Sequence, residues 1–281
     1  MVRNFALLLI SGAVASGQAE DWKGRLTSPV VNPLFFESPQ IQSEVRPIFI
    51  HHTIDDSFIT QGGDVQVYAM QIRYAVTDRL AIIATKDGYI DFNPAAVLPH
   101  KSGWADLAAG VKYALVDNQD QQFLLTPGLK FEIPTGNSRV FQGNGDGEWN
   151  LFVSALKGFN DFHITGSVGY RVPNDMDAET SSVHYSVQLD YYTCRWFVPF
   201  VALNAFTVTS EADVIPLDVE GFDLINFGSS NASGTTQATL AGGFRSRVLD
   251  WMDLGFGYEG GITTPRGIFD NRVTVDLIFR F

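Results

Sequence analysis

Charged residues recur at alternate positions inside otherwise apolar segments of this chain. Alternate positions lie on one face of a β-strand, so each set would face the same side of a sheet. These alternating charged residues comprise seven acids and eight bases. The near balance predicts that the side of the sheet they face encloses a near-neutral interior, in which paired charges solvate and brace the structure. The alternative is that some of them form a constriction that selects polar or anionic solutes. The residues are Arg73, Asp106, Lys112, Lys130, Glu132, Glu148, Arg171, Asp190, Arg245, Arg247, Asp253, Glu259, Arg272, Asp276 and Arg280.

Two short acidic motifs carry oxygen ligands at a spacing that suits Ca²⁺. They are "NGDGE", residues 144–148, and "DMDAE", residues 175–179. Neither continues into a complete EF-hand-type loop. We therefore expect solvated acidic loop tips and no metal site.

The histidines offer no catalytic arrangement. His163 and His184 fall on the same face of neighbouring predicted strands but at opposite ends, on the order of 20 Å apart at about 3.3 Å per residue. They cannot share a substrate, and neither a histidine nor an acid falls on the outward face where a lipid hydrolase would need its triad. We expect no enzyme, no catalytic residue and no cofactor.

Composition limits the class of protein. Of the 281 residues, 45% are hydrophobic and 18% charged, which excludes a disordered chain. The net charge of −12 and the lack of Lys and Arg clusters exclude a nucleic-acid surface. The single cysteine, Cys194, has no partner for a disulfide within the chain. Abundant Phe, Tyr and Gly favour a β-rich protein with many tight turns.

The N-terminus has the pattern of an export signal. Residues 1–19 contain one basic residue, Arg3, then a short apolar run and small residues where a signal peptidase cleaves. A short buried helix is the alternative. Residues 20–44 follow as a proline-interrupted leader. It is either a periplasmic strap or disordered leader, or a hatch that folds into the mouth of the barrel that the strand pattern below predicts, with Leu34, Phe35 and Phe36 at its apolar tip.

The rest of the chain alternates apolar and polar residues with period two. No apolar stretch is long enough for a membrane helix, whereas the alternating segments have the length of membrane-spanning barrel strands. Five segments alternate cleanly and seven less so, giving twelve antiparallel strands, an even number that leaves both termini on one side. The clean segments are 104–115, 122–133, 162–172, 182–192 and 252–259; the weaker ones are 45–53, 64–76, 79–92, 147–158, 196–208, 236–248 and 272–281.

The connections alternate between short turns and longer loops, the arrangement of outer-membrane barrels with periplasmic turns and outer loops. Aromatic residues cluster near both ends of the predicted strands, as in interfacial girdles. The longest loop, 209–235, combines acidic and large apolar residues and is long enough to fold over the barrel mouth. Phe281 ends an alternating strand and resembles the signal read by the outer-membrane assembly machinery.

Two prolines stand against this pattern. Pro127 and Pro199 lie inside predicted strands, where proline removes a ladder donor, so each implies a bulge or a wrong register. A soluble secreted β-sandwich also alternates and is the alternative fold, although it does not require such long strands joined by two-residue turns.

Several stretches resemble a known group of outer-membrane proteins. They are "LTPGLKFEIPTGN" (125–137), "FQGNGDGEWNLFVSALKGF" (141–159) and "HITGSVGYRVP" (163–173). The chain resembles the transporter-like, or "MetA pathway of phenol degradation", barrels, which are distantly similar to fatty-acid and toluene outer-membrane channels. The resemblance covers most of the mature chain and includes no catalytic signature. It implies a barrel that moves small, often apolar or aromatic compounds.

These observations predict an all-β, twelve-stranded up-and-down barrel, residues 45–281, in the outer membrane of a Gram-negative bacterium. The expected function is a channel or transporter for small hydrophobic or aromatic molecules. The alternative is a closed-lumen barrel with a structural or surface-binding role. The expected partners are outer-membrane lipid, the assembly machinery and a small-molecule cargo, but no nucleic acid.

Overall fold

The computed structural model describes residues 22–281. The predicted signal peptide, 1–19, lies outside the described residues, as do the first two residues of the leader 20–44. Within 22–281 no helix has the length and apolar character needed to cross a membrane. The helical elements of this range are two short 3-10 helices, Trp22–Arg25 and Ser138–Val140.

Fifteen β-strands form one antiparallel sheet that closes on itself, because β1 pairs with β2 on one side and with β15 on the other. Closure removes the unpaired edges that an open sheet would expose. The strands are β1 (Glu44–Thr53), β2 (Gly63–Ala75), β3 (Leu80–Lys86), β4 (Tyr89–Pro94), β5 (Lys101–Trp104), β6 (Leu107–Tyr113), β7 (Val116–Asn118), β8 (Phe123–Ile133), β9 (Glu148–Phe159), β10 (Phe162–Pro173), β11 (Ser181–Tyr191), β12 (Val198–Ser210), β13 (Thr236–Leu249), β14 (Met252–Gly261) and β15 (Asn271–Arg280).

The wall nevertheless has twelve strands, because some of the fifteen are pieces of a single wall strand. β3 and β4 are one strand interrupted at 87–88, and β5, β6 and β7 are one strand interrupted at 105–106 and 114–115. Each wall strand is antiparallel to the next. The predicted twelve-stranded antiparallel barrel is confirmed, and the soluble sandwich is not the fold.

Side chains alternate between the two faces of the wall, as a pleated strand requires. In β9, Leu151 is 53% exposed and Val153 40%, whereas Phe152 between them and Ser154 after them are buried. The same alternation in β11 turns Val187 outward. The outward residues form an apolar belt of the kind that faces lipid in membrane barrels.

Two predicted strands are interrupted where the alternation indicated continuity. The segment 104–115 breaks at Ala105 and Asp106, both buried, so Trp104 points outward with 66% exposure instead of inward. The segment 79–92 breaks at Asp87 and Gly88. Each break shifts the alternation by one residue, because consecutive residues then fail to change face.

The two strand prolines have different explanations. Beside Pro127, the neighbour of β8 changes register from Lys112 opposite Gly128 to Val116 opposite Leu125, which is the expected bulge. Pro199 sits in an unbroken register opposite Phe244 on β13. On its other side the pairing of β12 with β11 ends at Phe200, so the missing N–H costs no ladder bond.

Candidate transport pathway

Residues 22–43, which we call the inner segment, run through the barrel interior. Trp22 and Leu26 pack near the short-turn end, and Phe35 packs with Phe206, Phe222 and Phe269 near the long-loop end. The direction changes after Asn32, whose carbonyl accepts the backbone N–H groups of both Phe35 and Phe36. The segment then returns along the wall to β1. Its course places an occupant inside the lumen, whereas its role as a hatch stays a prediction.

The inner segment is held largely by its backbone carbonyls. Three prolines, Pro29, Pro33 and Pro39, keep it from forming regular structure, so its carbonyl groups need other donors. Inward-facing side chains of the wall supply them. The bonds are Arg245 Nε to Ser28 O (2.9 Å), Arg46 Nη2 to Pro29 O (2.8 Å), Gln71 Nε2 to Pro33 O (2.8 Å), Lys130 Nζ to Leu34 O (2.5 Å), Lys112 Nζ to Ser38 O (2.7 Å) and Thr126 Oγ1 to Pro39 O (2.7 Å).

Glu37 is the charged anchor of the inner segment. Both of its oxygens accept from Arg73, at 2.7 Å each, and Oε1 also accepts from Lys112 at 2.7 Å. Arg73 makes a further ion pair with Glu44 at 3.0 Å, and all four side chains are buried. The sequence pattern selected Arg73 and Lys112 but missed both acids. Glu37 lies outside the strands, and Glu44, the first residue of β1, lies one residue before the predicted strand 45–53.

A second buried cluster forms around Asp276 on the adjacent part of the wall, where β15 pairs with β1. Arg245 donates two hydrogen bonds to it, at 2.8 and 3.0 Å, and Arg46 pairs with it as well. Both arginines also donate to carbonyls of the inner segment. Arg46 was missed, although it faces inward in β1 by the same alternation that selected the others.

The loop 211–235, which we call the inserted loop, occupies the long-loop end of the lumen. Its Asp223 forms a two-bond ion pair with Arg272, at 2.6 and 2.7 Å, with both side chains fully buried. Leu224 and Ile225 pack against the wall residues Ile48 and Ile50. Phe222 belongs to the same aromatic cluster as Phe35, so the inner segment and the inserted loop meet inside the barrel.

Of the fifteen charged residues that the alternation predicts to face inward, the twelve candidates for lining the lumen have buried or nearly buried side chains, and most are paired. Besides the clusters above, Glu132 pairs with Lys86, Arg171 with Glu148 at 2.8 Å, and Asp190 with His163 at 2.8 Å. Their roles in transport stay predictions. The twelve are Arg73, Asp106, Lys112, Lys130, Glu132, Arg171, Asp190, Arg245, Asp253, Glu259, Arg272 and Asp276; Asp253 pairs with Arg247 and Arg280. Phe281, the predicted assembly signal, lies outside the wall and is 72% exposed.

The two acidic motifs approach one another near the long-loop end. A Cβ placed on Gly145 would lie 2.7 Å from an oxygen of Glu179, the last residue of the second motif. Burial, together with nearby Glu148, raises the pKa of Glu179 from its ordinary value of 4.5 to about 8. Within residues 22–281 no cluster of three or more His, Cys, Asp or Glu side chains could hold a metal ion.

The barrel wall has an opening beside the middle of β2. β2 pairs with β4 up to Tyr68 and with β3 from Ile72 onward, so residues 69–71 have no strand partner on that side. The breaks at 87–88 and 105–106 lie next to this gap. Two bonds cross it, from the backbone N–H of Met70 to Asp87 Oδ1 at 2.9 Å and from Gln71 Nε2 to the carbonyl oxygen of Thr85 at 2.7 Å.

Cavities lie on both sides of this wall opening. The outer cavity, of about 700 Å³, is lined mainly by outward side chains, among them Tyr68, Met70, Trp104 and Leu107. A smaller inner cavity reaches Leu34 of the inner segment and Lys86. The residues that line both cavities, and so separate them, are Ile48, Ala69, Asp87 and Ala105.

A further cavity, of about 140 Å³, opens at the long-loop end. Its walls are entirely apolar and combine three outer loops with the inserted loop. Phe227 of the inserted loop contacts Phe58 and Phe141, with ring centroids 5.9 and 5.3 Å apart. The chain thus offers one apolar cavity at its outer mouth and another at the wall opening.

The closed wall, the outward apolar belt and the charged interior define a transmembrane barrel of the outer-membrane type. No protein-family model matches the sequence, and no curated protein matches it. Among solved structures, the fold is shared with the COG4313 outer membrane channel from Pseudomonas putida F1, at a TM-score of 0.67 and 13% identity over 91% of this chain and 100% of that chain.

Other solved structures share the fold less closely. The NanC porin has a TM-score of 0.54 and 10% identity over 85% of this chain and 100% of its own. The translocator domain of the autotransporter NalP from Neisseria meningitidis has a TM-score of 0.53 and 9% identity over 87% and 90%. At these identities the similarity establishes the fold, so the expected resemblance to outer-membrane barrels is confirmed at that level.

Proposed function

We propose that the protein is an outer-membrane channel through which small apolar molecules pass by way of the wall opening. The observation that carries this proposal is the outer cavity, which is mainly apolar, lies among lipid-facing side chains and is separated from an inner cavity by only four residues. Apolar cavities of several hundred Å³ are typical of small-molecule sites. The fold shared with outer-membrane channels supports the same assignment.

The occupied lumen favours a route through the wall over one along the barrel axis. The inner segment fills the interior from the short-turn end, and the inserted loop fills the long-loop end. A molecule dissolved in the apolar belt reaches the outer cavity without passing either occupant. Water-soluble ions would have to displace both.

Ala105→Trp tests the route, because Ala105 lines both cavities and a large ring there would fill the space between them. Val153→Trp is the matched control, since it adds the same ring to the lipid face away from the opening. The measurement is the initial uptake rate of radiolabelled toluene by cells producing each variant, against cells with an empty vector. We expect wild type and V153W to accelerate uptake and A105W to fall to the vector level.

Two results would count against the proposal. Full activity of A105W would exclude the wall opening as the route, and no acceleration by the wild type would exclude a channel for such molecules. The second candidate, a closed-lumen structural or surface-binding barrel, is favoured by the two occupants of the lumen. It predicts neither toluene uptake nor conductance in planar bilayers.

A further inference from the structure

Asp87 is a carboxylate placed at the wall opening, among apolar neighbours. It lines the outer cavity together with side chains such as Tyr68, Met70 and Trp104, and it also lines the inner cavity. Its bond to Met70 places it within the outward apolar row that runs along β2 from Tyr68 to Tyr74. A molecule that passes between the two cavities must therefore pass this carboxylate.

One of the two carboxylate oxygens of Asp87, Oδ2, has no hydrogen-bond partner among the described residues. Oδ1 accepts the Met70 N–H, and among residues 22–281 no other donor or cation contacts either oxygen. The adjacent Lys86 is committed to Glu132, with Asp106 at 3.8 Å. An ionisable side chain at membrane depth is costly, and such residues usually serve a function. If Asp87 served only to brace the break at 87–88, its bond to Met70 would be sufficient, and the unpaired second oxygen would have no role.

We propose that Asp87 selects the cargo of this wall opening, which is an apolar molecule bearing one hydrogen-bond donor, a hydroxyl or an ammonium group. This inference rests on the proposed function. The apolar body occupies the outer cavity, and Oδ2 of Asp87 accepts the donor. A carboxylated molecule of the same size is disfavoured, because two like charges would meet where little water screens them. Hydrogen bonds to a charged group contribute about 1.5–3 kcal/mol, or roughly tenfold or more in affinity.

The test compares four probes built on one ring: toluene, benzyl alcohol, benzylamine and benzoate. Trp104 lines the outer cavity, so its fluorescence reports occupancy of the site, and Trp104→Phe identifies its contribution to the signal. Each probe is titrated against full-length protein in one detergent. Asp87→Asn is the matched variant, because the Asn carbonyl still accepts the Met70 N–H while the negative charge is lost.

We expect the wild type to bind benzylamine and benzyl alcohol about tenfold or more tighter than benzoate. In D87N the advantage of benzylamine over benzoate should disappear, while toluene binds both proteins equally. Equal ranking of the four probes in wild type and D87N would overturn the role of Asp87. If toluene itself fails to bind either protein, the outer cavity is not a binding site and the proposed function fails with it.

Discussion

At the scale of single residues, the interior charges act as anchors for the segments that fill the barrel. Arg73 and Lys112 hold Glu37, Arg272 holds Asp223, and Arg245 holds a backbone carbonyl of the inner segment. In each case the wall supplies the cation and an irregular segment supplies the acceptor. Strand alternation identifies only the wall member, so the sequence could predict that these side chains face inward but not what they bind.

Glu37→Gln should loosen the inner segment. The substitution removes the charge that compensates Arg73 and Lys112, and breaking a buried ion pair costs about 3 kcal/mol. We expect faster hydrogen–deuterium exchange of backbone amides in 22–43, measured by mass spectrometry. Asp161→Asn is the control, because its pair with Arg25 is partly exposed and contributes little. Equal protection of 22–43 in E37Q and wild type would show that the carbonyl bonds alone hold the segment.

Glu179 should make the packing of its loop depend on pH. In the packed loop its pKa is raised to about 8, and in the released loop it returns to about 4.5. Packing is therefore unaffected below pH 4.5, weakens as pH rises from 4.5 to 8 by about 1.4 kcal/mol per unit, and stays weakest above pH 8. Exchange of 174–180, corrected for intrinsic rates, should increase over that range and lose this dependence in Glu179→Gln. A pH-independent wild type would contradict the prediction.

At the scale of elements, the sequence predicts the strands well but not their interruptions. Alternation located all twelve wall strands. Each residue of such a strand faces either lipid or the polar interior, so its position in the strand restricts it to apolar or polar types. The break at 87–88 left a signal, the Asp-Gly pair, which is typical of turns. The break at Ala105 left none. The positions of the inner segment and inserted loop depend on long-range contacts, which periodicity does not record.

The inserted loop should be released by Asp223→Asn. This substitution leaves the buried Arg272 without its charged partner, with Glu259 no nearer than 3.9 Å, at a cost of about 3 kcal/mol. We expect faster proteolysis within 211–235, followed by intact-mass analysis. Asp218→Asn makes the same chemical change on an exposed side chain of that loop and should leave cleavage at the wild-type rate. Identical cleavage of D223N and D218N would assign the loop's position to its apolar contacts alone.

At the scale of the whole molecule, the interior of the twelve-stranded barrel is filled by its own chain from both ends. The inner segment and the inserted loop share an aromatic cluster through Phe35 and Phe222 but use separate ionic anchors, Glu37 and Asp223. The axial route is therefore closed by two barriers in series. The proposed route through the wall opening bypasses both, so in the proposed function an apolar molecule passes while the barrel stays closed to ions.

Two barriers in series predict how ion conductance responds to the anchor variants. Current requires the inner segment and the inserted loop to be displaced at the same time. The open probability is therefore the product of two small displacement probabilities, one for each occupant. Destabilising either one multiplies that product by about tenfold for every 1.4 kcal/mol. In planar bilayers, E37Q and D223N should each raise a very low open probability, and E37Q/D223N should raise it by the product of the two effects. If D223N alone gives the conductance of the double variant, the inner segment is not a barrier to ions and its contacts serve only to brace the wall.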